Sequence, residues 1–188
     1  MNWRFLIAWV VAGIFLGGGL LRADDSYIHT FTGFTFPPTV GSFEKKRVTP
    51  FNEAHSDIEV DYDNKPFTVH LSFYVYPANG PLKPHYEKCK SDVVQVHHDA
   101  KLLKEEPVTL EKSGVKYDGF SALYSFRGNF FGTPDQELLS KVIVFKRGDY
   151  YVLVRVTYAL SDKTNAELEI ADFIYKLEWP AGDGSAEK

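Results

Sequence analysis

The segment that decides the fold covers residues 138–160 and has the sequence LLSKVIVFKRGDYYVLVRVTYAL. It contains two runs rich in β-branched and aromatic residues, 138–146 and 150–160, separated by Gly148 and Asp149. Glycine tolerates the positive φ angle that a two-residue hairpin turn requires. The segment therefore predicts an antiparallel β-hairpin.

Further strands are predicted on the N-terminal side of this hairpin. Residues 43–51 and 57–63 form two strands joined by a polar loop, and in the second strand apolar and acidic residues alternate. Residues 66–76 (PFTVHLSFYVY) alternate in the same way and end at a Pro-Ala-Asn-Gly-Pro turn. This period of two is typical of strands with one buried face. Residues 108–111 and 115–127 are strand-like as well.

Two amphipathic helices are predicted from apolar residues spaced three and four apart. The first covers residues 84–104, and the second covers residues 163–177 and is capped by Ser161 or Asp162. The order is three strands, a helix, four strands and a helix. It predicts an α+β fold, a layered α/β sandwich in which a mostly antiparallel sheet carries two amphipathic helices.

The C-terminal half also resembles a known superfamily. The run Asp149-Tyr150-Tyr151-Val152-Leu153-Val154-Arg155-Val156-Thr157-Tyr158, followed by a helix ending Phe173-Ile174-Tyr175-Lys176-Leu177, is similar to the PsbP/Mog1/DcrB-like α/β sandwich proteins. The resemblance covers about a third of the chain. It implies helices around a central antiparallel sheet, and an accessory or binding role rather than catalysis. It assigns no functional residue.

The N-terminal residues 1–23 predict a secretory signal peptide. Arg4 precedes the uncharged apolar stretch 5–21, and Ala23 supplies a small residue before Asp24. The alternative is an uncleaved membrane anchor, since 5–21 is just long enough to cross a thin bilayer. Beyond it we predict an extended N-terminal segment at 24–42, a single α+β domain at 43–180 and a flexible polar tail at 181–188. The expected location is outside the cytoplasm, either periplasmic or secreted.

Charge and cysteine content restrict the partners. The chain carries a net charge of −4, and loss of Arg4 and Arg22 with the signal would make it −6. An acidic protein repels phosphate backbones, so nucleic acid is not an expected partner. Cys89 is the one cysteine, so no internal disulfide can form and the thiol is either buried or available to another chain.

An acidic ladder, Asp57, Glu59, Asp61 and Asp63, is the most unusual feature of the sequence. One interpretation is a surface for a divalent cation or a cationic partner, because hard cations bind carboxylate oxygens. The favoured interpretation is an edge strand made repulsive to other strands, with Lys45 and Arg47 opposite it as cross-strand ion pairs.

Tyrosine supplies a second candidate surface. Tyr74, Tyr76, Tyr151 and Tyr158 would form an aromatic platform for a ligand or partner if they shared an exposed face. The alternative is that most of them pack against the sheet.

No catalytic residues, cofactor or metal site are predicted. His85 and Cys89 lie one helical turn apart, but Cys89 belongs to the apolar stripe, and His70 lies alone on a strand. A hydrolase elbow at 119–123 fails because Leu123 occupies its last glycine position. We expect a non-catalytic exported accessory or binding domain for an unknown protein or small molecule. The alternatives are a small hydrolase whose acid and base meet only in the fold, and a membrane-tethered interaction protein.

Overall fold

A computed structural model describes residues 25–112 and 114–180 of the chain. The predicted signal peptide and polar tail lie outside these residues. The described part contains ten strands and two α-helices. The elements in chain order are β1 (Tyr27–His29), β2 (Phe34–Phe36), β3 (Thr39–Val40), β4 (Phe43–Pro50), β5 (Ile58–Asn64), β6 (Val69–Pro77), α1 (Leu82–Val96), β7 (Lys101–Lys112), β8 (Val115–Phe130), β9 (Thr133–Arg147), β10 (Tyr150–Ala159) and α2 (Lys163–Lys176).

Eight strands form one antiparallel sheet in the order β3-β4-β5-β6-β10-β9-β8-β7, and β1 pairs with β2 in a separate hairpin. The predicted hairpin is confirmed: Arg147 pairs with Tyr150 across Gly148, whose φ angle is +53°. The α+β class is confirmed too. Because neighbouring residues of a strand point to opposite faces, the register of β6 and β10 determines which side chains share a face.

One face of the sheet packs against α2 and the β1–β2 hairpin. Val152 and Val154 of β10 join Ile170 and Phe173 of α2 in the larger buried core. The hairpin adds its phenylalanines, and the ring of Phe34 lies edge-on to Trp179 with centroids 5.2 Å apart.

Residues 25–42, the described part of the predicted extended N-terminal segment, pair and pack against the sheet. They contain three short strands, and Phe34 and Phe36 are completely buried. The strands are only two or three residues long, which is too short for a period of two to be recognised in the sequence.

The other face packs against α1. Leu153 joins Cys89 and Val93 of the helix in a second core, whereas its neighbours Val152 and Val154 belong to the first core. The two helices thus lie on opposite faces of the sheet. Helix α1 lies over β8 and β9, and no helix of the described ranges covers β4 and β5 on this side.

The first helix is shorter than predicted. It ends at Val96 instead of residue 104, and His97 closes it with a hydrogen bond from its N–H to the Val93 carbonyl. Lys101 already pairs with Ser125 as the start of β7. The helical spacing of Ala100 and Leu103 was misleading because tertiary pairing with β8 outweighs weak helix propensity. Of the two described helices, neither is long and apolar enough to cross a lipid bilayer.

Candidate functional site

The acidic ladder lies inside the sheet rather than at its edge, because β5 is flanked by β4 and β6. The edge-strand interpretation is therefore wrong. Three of the ladder residues face the α1 side, next to the uncovered part of the sheet. With their cross-strand neighbours they form what we call the β4–β6 network: Arg47, Glu59, Asp61, Asp63, His70, Ser72 and Tyr74.

Asp61 is the centre of this network. It is 4% exposed, and the Ser72 hydroxyl donates to its Oδ1 over 2.6 Å. The Arg47 guanidinium donates to Oδ2 from Nη2 over 2.8 Å and from Nε over 3.2 Å. The predicted ion pair between Arg47 and the ladder is thus present. A buried carboxylate is stable only when it is paired and hydrogen-bonded in this way.

Lys45 does not pair with the ladder. A one-residue irregularity in β4 separates it from Arg47, and the two side chains point to opposite faces. The Lys45 ammonium donates to the Phe36 carbonyl over 3.0 Å and to the Asp25 carbonyl. It therefore anchors the N-terminal hairpin to the sheet.

His70 lies between two carboxylates. Its Nδ1 is 2.8 Å from Asp63 Oδ1, and its Nε2 is 3.8 Å from Asp61 Oδ1 and 3.3 Å from Ser72 Oγ. Burial alone would lower the pKa of His70, but the hydrogen bond with Asp63 and the charges of Asp61, Asp63 and Glu59 outweigh it. The pKa of His70 is raised, which favours the imidazolium.

Glu59 and Tyr74 complete the network. The Tyr74 hydroxyl donates to Glu59 Oε1 over 2.6 Å. Burial and the neighbouring Asp61 charge raise the pKa of Glu59, and burial raises the pKa of Tyr74 as well. The raised pKa of Tyr74 keeps its hydroxyl protonated at neutral pH, so Tyr74 is the donor and Glu59 the acceptor.

Three residues of the network are arranged like a hydrolase triad, but the serine donates its hydrogen bond to Asp61. Asp63, His70 and Ser72 occupy the positions of acid, base and nucleophile. A nucleophilic serine must donate its proton to the histidine. Here the Ser72 hydroxyl donates to Asp61 over 2.6 Å, and His70 Nε2 lies 3.3 Å from Ser72 Oγ. The raised pKa of His70 favours an Nε2–H that points towards Ser72 Oγ.

The carboxylates of the ladder are engaged in hydrogen bonds and do not form an open site for a cation. Glu59, Asp61 and Asp63 each already accept a hydrogen bond within the network. Asp57 precedes the strand and is half-buried. Within residues 25–112 and 114–180, no group of three histidine, cysteine or carboxylate side chains is placed to hold a metal ion.

Three of the four candidate tyrosines lie on the α1 side. Tyr151 is buried beneath His85, whose ring stacks on it with centroids 3.8 Å apart, and the Tyr76 hydroxyl lies 2.7 Å from His85 Nε2. Tyr74 belongs to the neighbouring network. Tyr158 points to the opposite face, where it is completely buried and donates to Glu167 over 3.2 Å. The four rings therefore do not form a single platform.

His85 and Cys89 share a helix face, as their spacing predicted, and their Nε2 and Sγ atoms are 3.5 Å apart. Burial and the Lys88 charge lower the pKa of His85 to about 4. Burial raises the pKa of the Cys89 thiol to about 11. A neutral imidazole beside a protonated, buried thiol does not make a nucleophilic pair.

The partners of the ladder in β6 are not evident from the spacing of residues in the sequence. His70 was interpreted as isolated, yet it pairs with Asp63 across the β5–β6 turn, and Ser72 pairs with Asp61. Counting outwards from the turn at 65–68 would have given this register, because antiparallel neighbours are equidistant from it.

Comparisons with known proteins support the fold. No protein-family model matches the chain, and no curated protein sequence matches it. Solved structures do match. Cyanobacterial PsbP (CyanoP) from Synechocystis sp. PCC 6803 is 11% identical, with a TM-score of 0.50 over 89% of this chain and 99% of that one.

Two other solved structures are also similar. A Pseudomonas aeruginosa protein of unknown function is 12% identical, with a TM-score of 0.49 over 84% of this chain and 97% of that one. The Saccharomyces cerevisiae Ran-binding protein Mog1p is 17% identical, with a TM-score of 0.32 over 74% and 87%. The likeness to cyanobacterial PsbP confirms the predicted PsbP-like α/β sandwich fold. At these identities the likeness concerns the fold alone.

The raised pKa of His70 predicts a pH-dependent contribution to stability. A histidine pKa that folding raises stabilises the protein below its unfolded value of about 6.5, and this contribution is lost as the pH rises through the folded pKa. In the original protein, we expect the free energy of unfolding to decrease by about 1 kcal/mol or less as the pH rises above 6.5, since the His70 side chain is 35% exposed. His70→Gln should abolish this decrease. Urea denaturation at several pH values measures this.

The matched control is His98→Gln, which changes an exposed histidine outside the network. Its pH profile should follow that of the original protein. Superimposable profiles for His70→Gln and the original protein would contradict the assignment.

Proposed function

We propose that the protein is an exported binding or accessory domain without catalytic activity. The observation that carries this proposal is the position of the Ser72 hydroxyl, which lies 2.6 Å from Asp61 Oδ1 and 3.3 Å from His70 Nε2. Ser72 donates to Asp61, so His70 has no serine proton to accept. A general base needs a neutral nitrogen facing the proton that it removes, and the raised pKa of His70 works against that.

A small hydrolase is the second candidate, because Asp63, His70 and Ser72 do come within hydrogen-bonding distance. It would require the Ser72 hydroxyl to turn from Asp61 to His70 and to become accessible. Ser72 is buried at present, and Asp61 is kept as its acceptor by Arg47. The binding domain therefore agrees better with the geometry.

A fluorophosphonate probe separates the two candidates, because it labels activated serines covalently. We expect no labelling of Ser72 under conditions in which a serine hydrolase run in parallel is fully labelled, since the hydroxyl lacks a base. Mass spectrometry of the peptide that contains Ser72 gives the measurement. Labelling that both Ser72→Ala and His70→Gln abolish would establish the hydrolase instead.

Export rests on the sequence of residues 1–23. We propose that this segment directs the chain across a membrane and is removed, which leaves the domain in the periplasm or secreted. An absence of disulfides is compatible with that location, because the domain has two buried cores to stabilise it. The partner is a protein or a small molecule; the net charge of −4 disfavours nucleic acid.

N-terminal sequencing of the protein from fractionated cells tests export. The mature chain should begin at Asp24, after the small residue Ala23, and should be found in the periplasmic or culture fraction. Recovery from the membrane fraction with Met1 in place would favour the membrane-tethered alternative. Full-length protein in the cytosol would refute export.

A further inference from the structure

A groove on the α2 face combines positive charge with unused hydrogen-bonding groups. It lies between the first turn of α2 and strands β7, β8 and β9, and its volume is about 190 Å³. Lys104, Lys141 and Lys163 line it, from β7, β9 and α2 respectively. Three lysines around one groove are notable in a chain whose net charge is negative.

Two of these lysines are available to a ligand. Within the described part of the chain, neither Lys141 nor Lys163 has a carboxylate within 4.0 Å. Lys163 and Glu167 are spaced for a helical ion pair but do not form one. Lys104 is paired with Glu106 over 2.8 Å.

The carboxylates in the groove do not cancel its charge. Glu106 is occupied by Lys104, and Glu167 accepts the hydroxyl of Tyr158. With three lysines and these two glutamates, the lining keeps a formal charge of +1. The lysines without partners are therefore the groups that an incoming anion would meet first.

One further donor faces the same space. Ser121 is 3% exposed, lines the groove, and its hydroxyl has no hydrogen-bond partner among residues 25–112 and 114–180. The first turn of α2 begins after Asp162, whose side chain makes no capping hydrogen bond. The Lys163 N–H, however, donates to the Leu160 carbonyl in the 3₁₀ turn Leu160–Asp162, so we do not count the helix terminus among the donors of the groove.

From these observations we propose that the groove binds a small oxyanion, the carboxylate or phosphate group of a low-molecular-weight ligand. The inference deepens the binding function proposed above and rests on it. Lys141 and Lys163 would neutralise the anion, and the Ser121 hydroxyl would donate a hydrogen bond. Leu123 lines the groove and offers an apolar contact for the rest of the ligand.

The size of the groove limits the ligand. Pockets for drug-sized molecules measure roughly 300–1,000 Å³, whereas this groove has about 190 Å³. It accommodates a small acid or phosphate ester, and not the length of a polymer.

Amide NMR of the ¹⁵N-labelled domain, titrated separately with inorganic phosphate and with acetate at constant ionic strength, tests the proposal. We expect saturable shifts of the amides of the groove-lining residues Ser121, Lys141 and Lys163 with at least one of the two anions. Saturation by phosphate alone identifies a phosphate ligand, and saturation by acetate alone identifies a carboxylate. Shifts that stay linear with both anions, or that occur elsewhere, would overturn the proposal.

Charge removal provides the matched comparison. Lys141→Gln and Lys163→Gln should each weaken binding about threefold, the effect expected of one partly exposed charge contact. Lys116→Gln removes the same charge from the same sheet at an exposed position paired with Asp118, and binding should not change. Equal weakening by all three variants would indicate general electrostatics and contradict a built site.

The dispersion of each spectrum confirms that the variant is folded. Failure of this experiment leaves the non-catalytic function intact, because that function is refuted by fluorophosphonate labelling of Ser72 and not by the absence of an anion.

Discussion

The antiparallel pairing of β6 with β10 at the centre of the sheet is the constraint on which the other features depend. It sends Val152 and Val154 to one face and Leu153 to the other, so both faces of the sheet need cover. Helix α2 and the N-terminal hairpin cover the first face. Helix α1 packs over β8 and β9 and leaves the β4–β5 side of the second face without a helix. There the strands carry paired polar side chains instead of an apolar layer.

The chemistry of the β4–β6 network follows from that position. Asp61 is buried without a helix above it, and it is stable because Arg47 and Ser72 satisfy its oxygens. Ser72 donates its proton in one of the hydrogen bonds that stabilise the buried Asp61 carboxylate. Under the proposed function, the geometry that resembles a triad is a consequence of neutralising the acidic ladder. Two lysines without a carboxylate partner in the described part of the chain, Lys141 and Lys163, lie on the other face, in the groove beside α2.

Much of the fold could be predicted from the sequence because local patterns agree with it. The Gly148 turn and the stripe of α2 needed no tertiary information. The end of α1 could not be predicted, because pairing of β7 with β8 overrides the helical spacing of Ala100 and Leu103. The site could be predicted only in part. The ladder was evident in the sequence, but His70 and Ser72 are brought next to it by the β5–β6 register. The lysine groove was hidden, since Lys104, Lys141 and Lys163 come together only when three strands and a helix pack.

The most direct test of the account is the protonation of the His70 ring. In ¹⁵N NMR spectra of the folded domain at pH 6.5, both ring nitrogens should carry protons, because Asp63 and the Asp61–Ser72 pair act as acceptors on its two sides. A neutral ring with unprotonated Nε2 at that pH would contradict the account. It would mean that Ser72 donates to the imidazole. Ser72 would then be an activated nucleophile, and the network would not be a set of side chains that only neutralise one another.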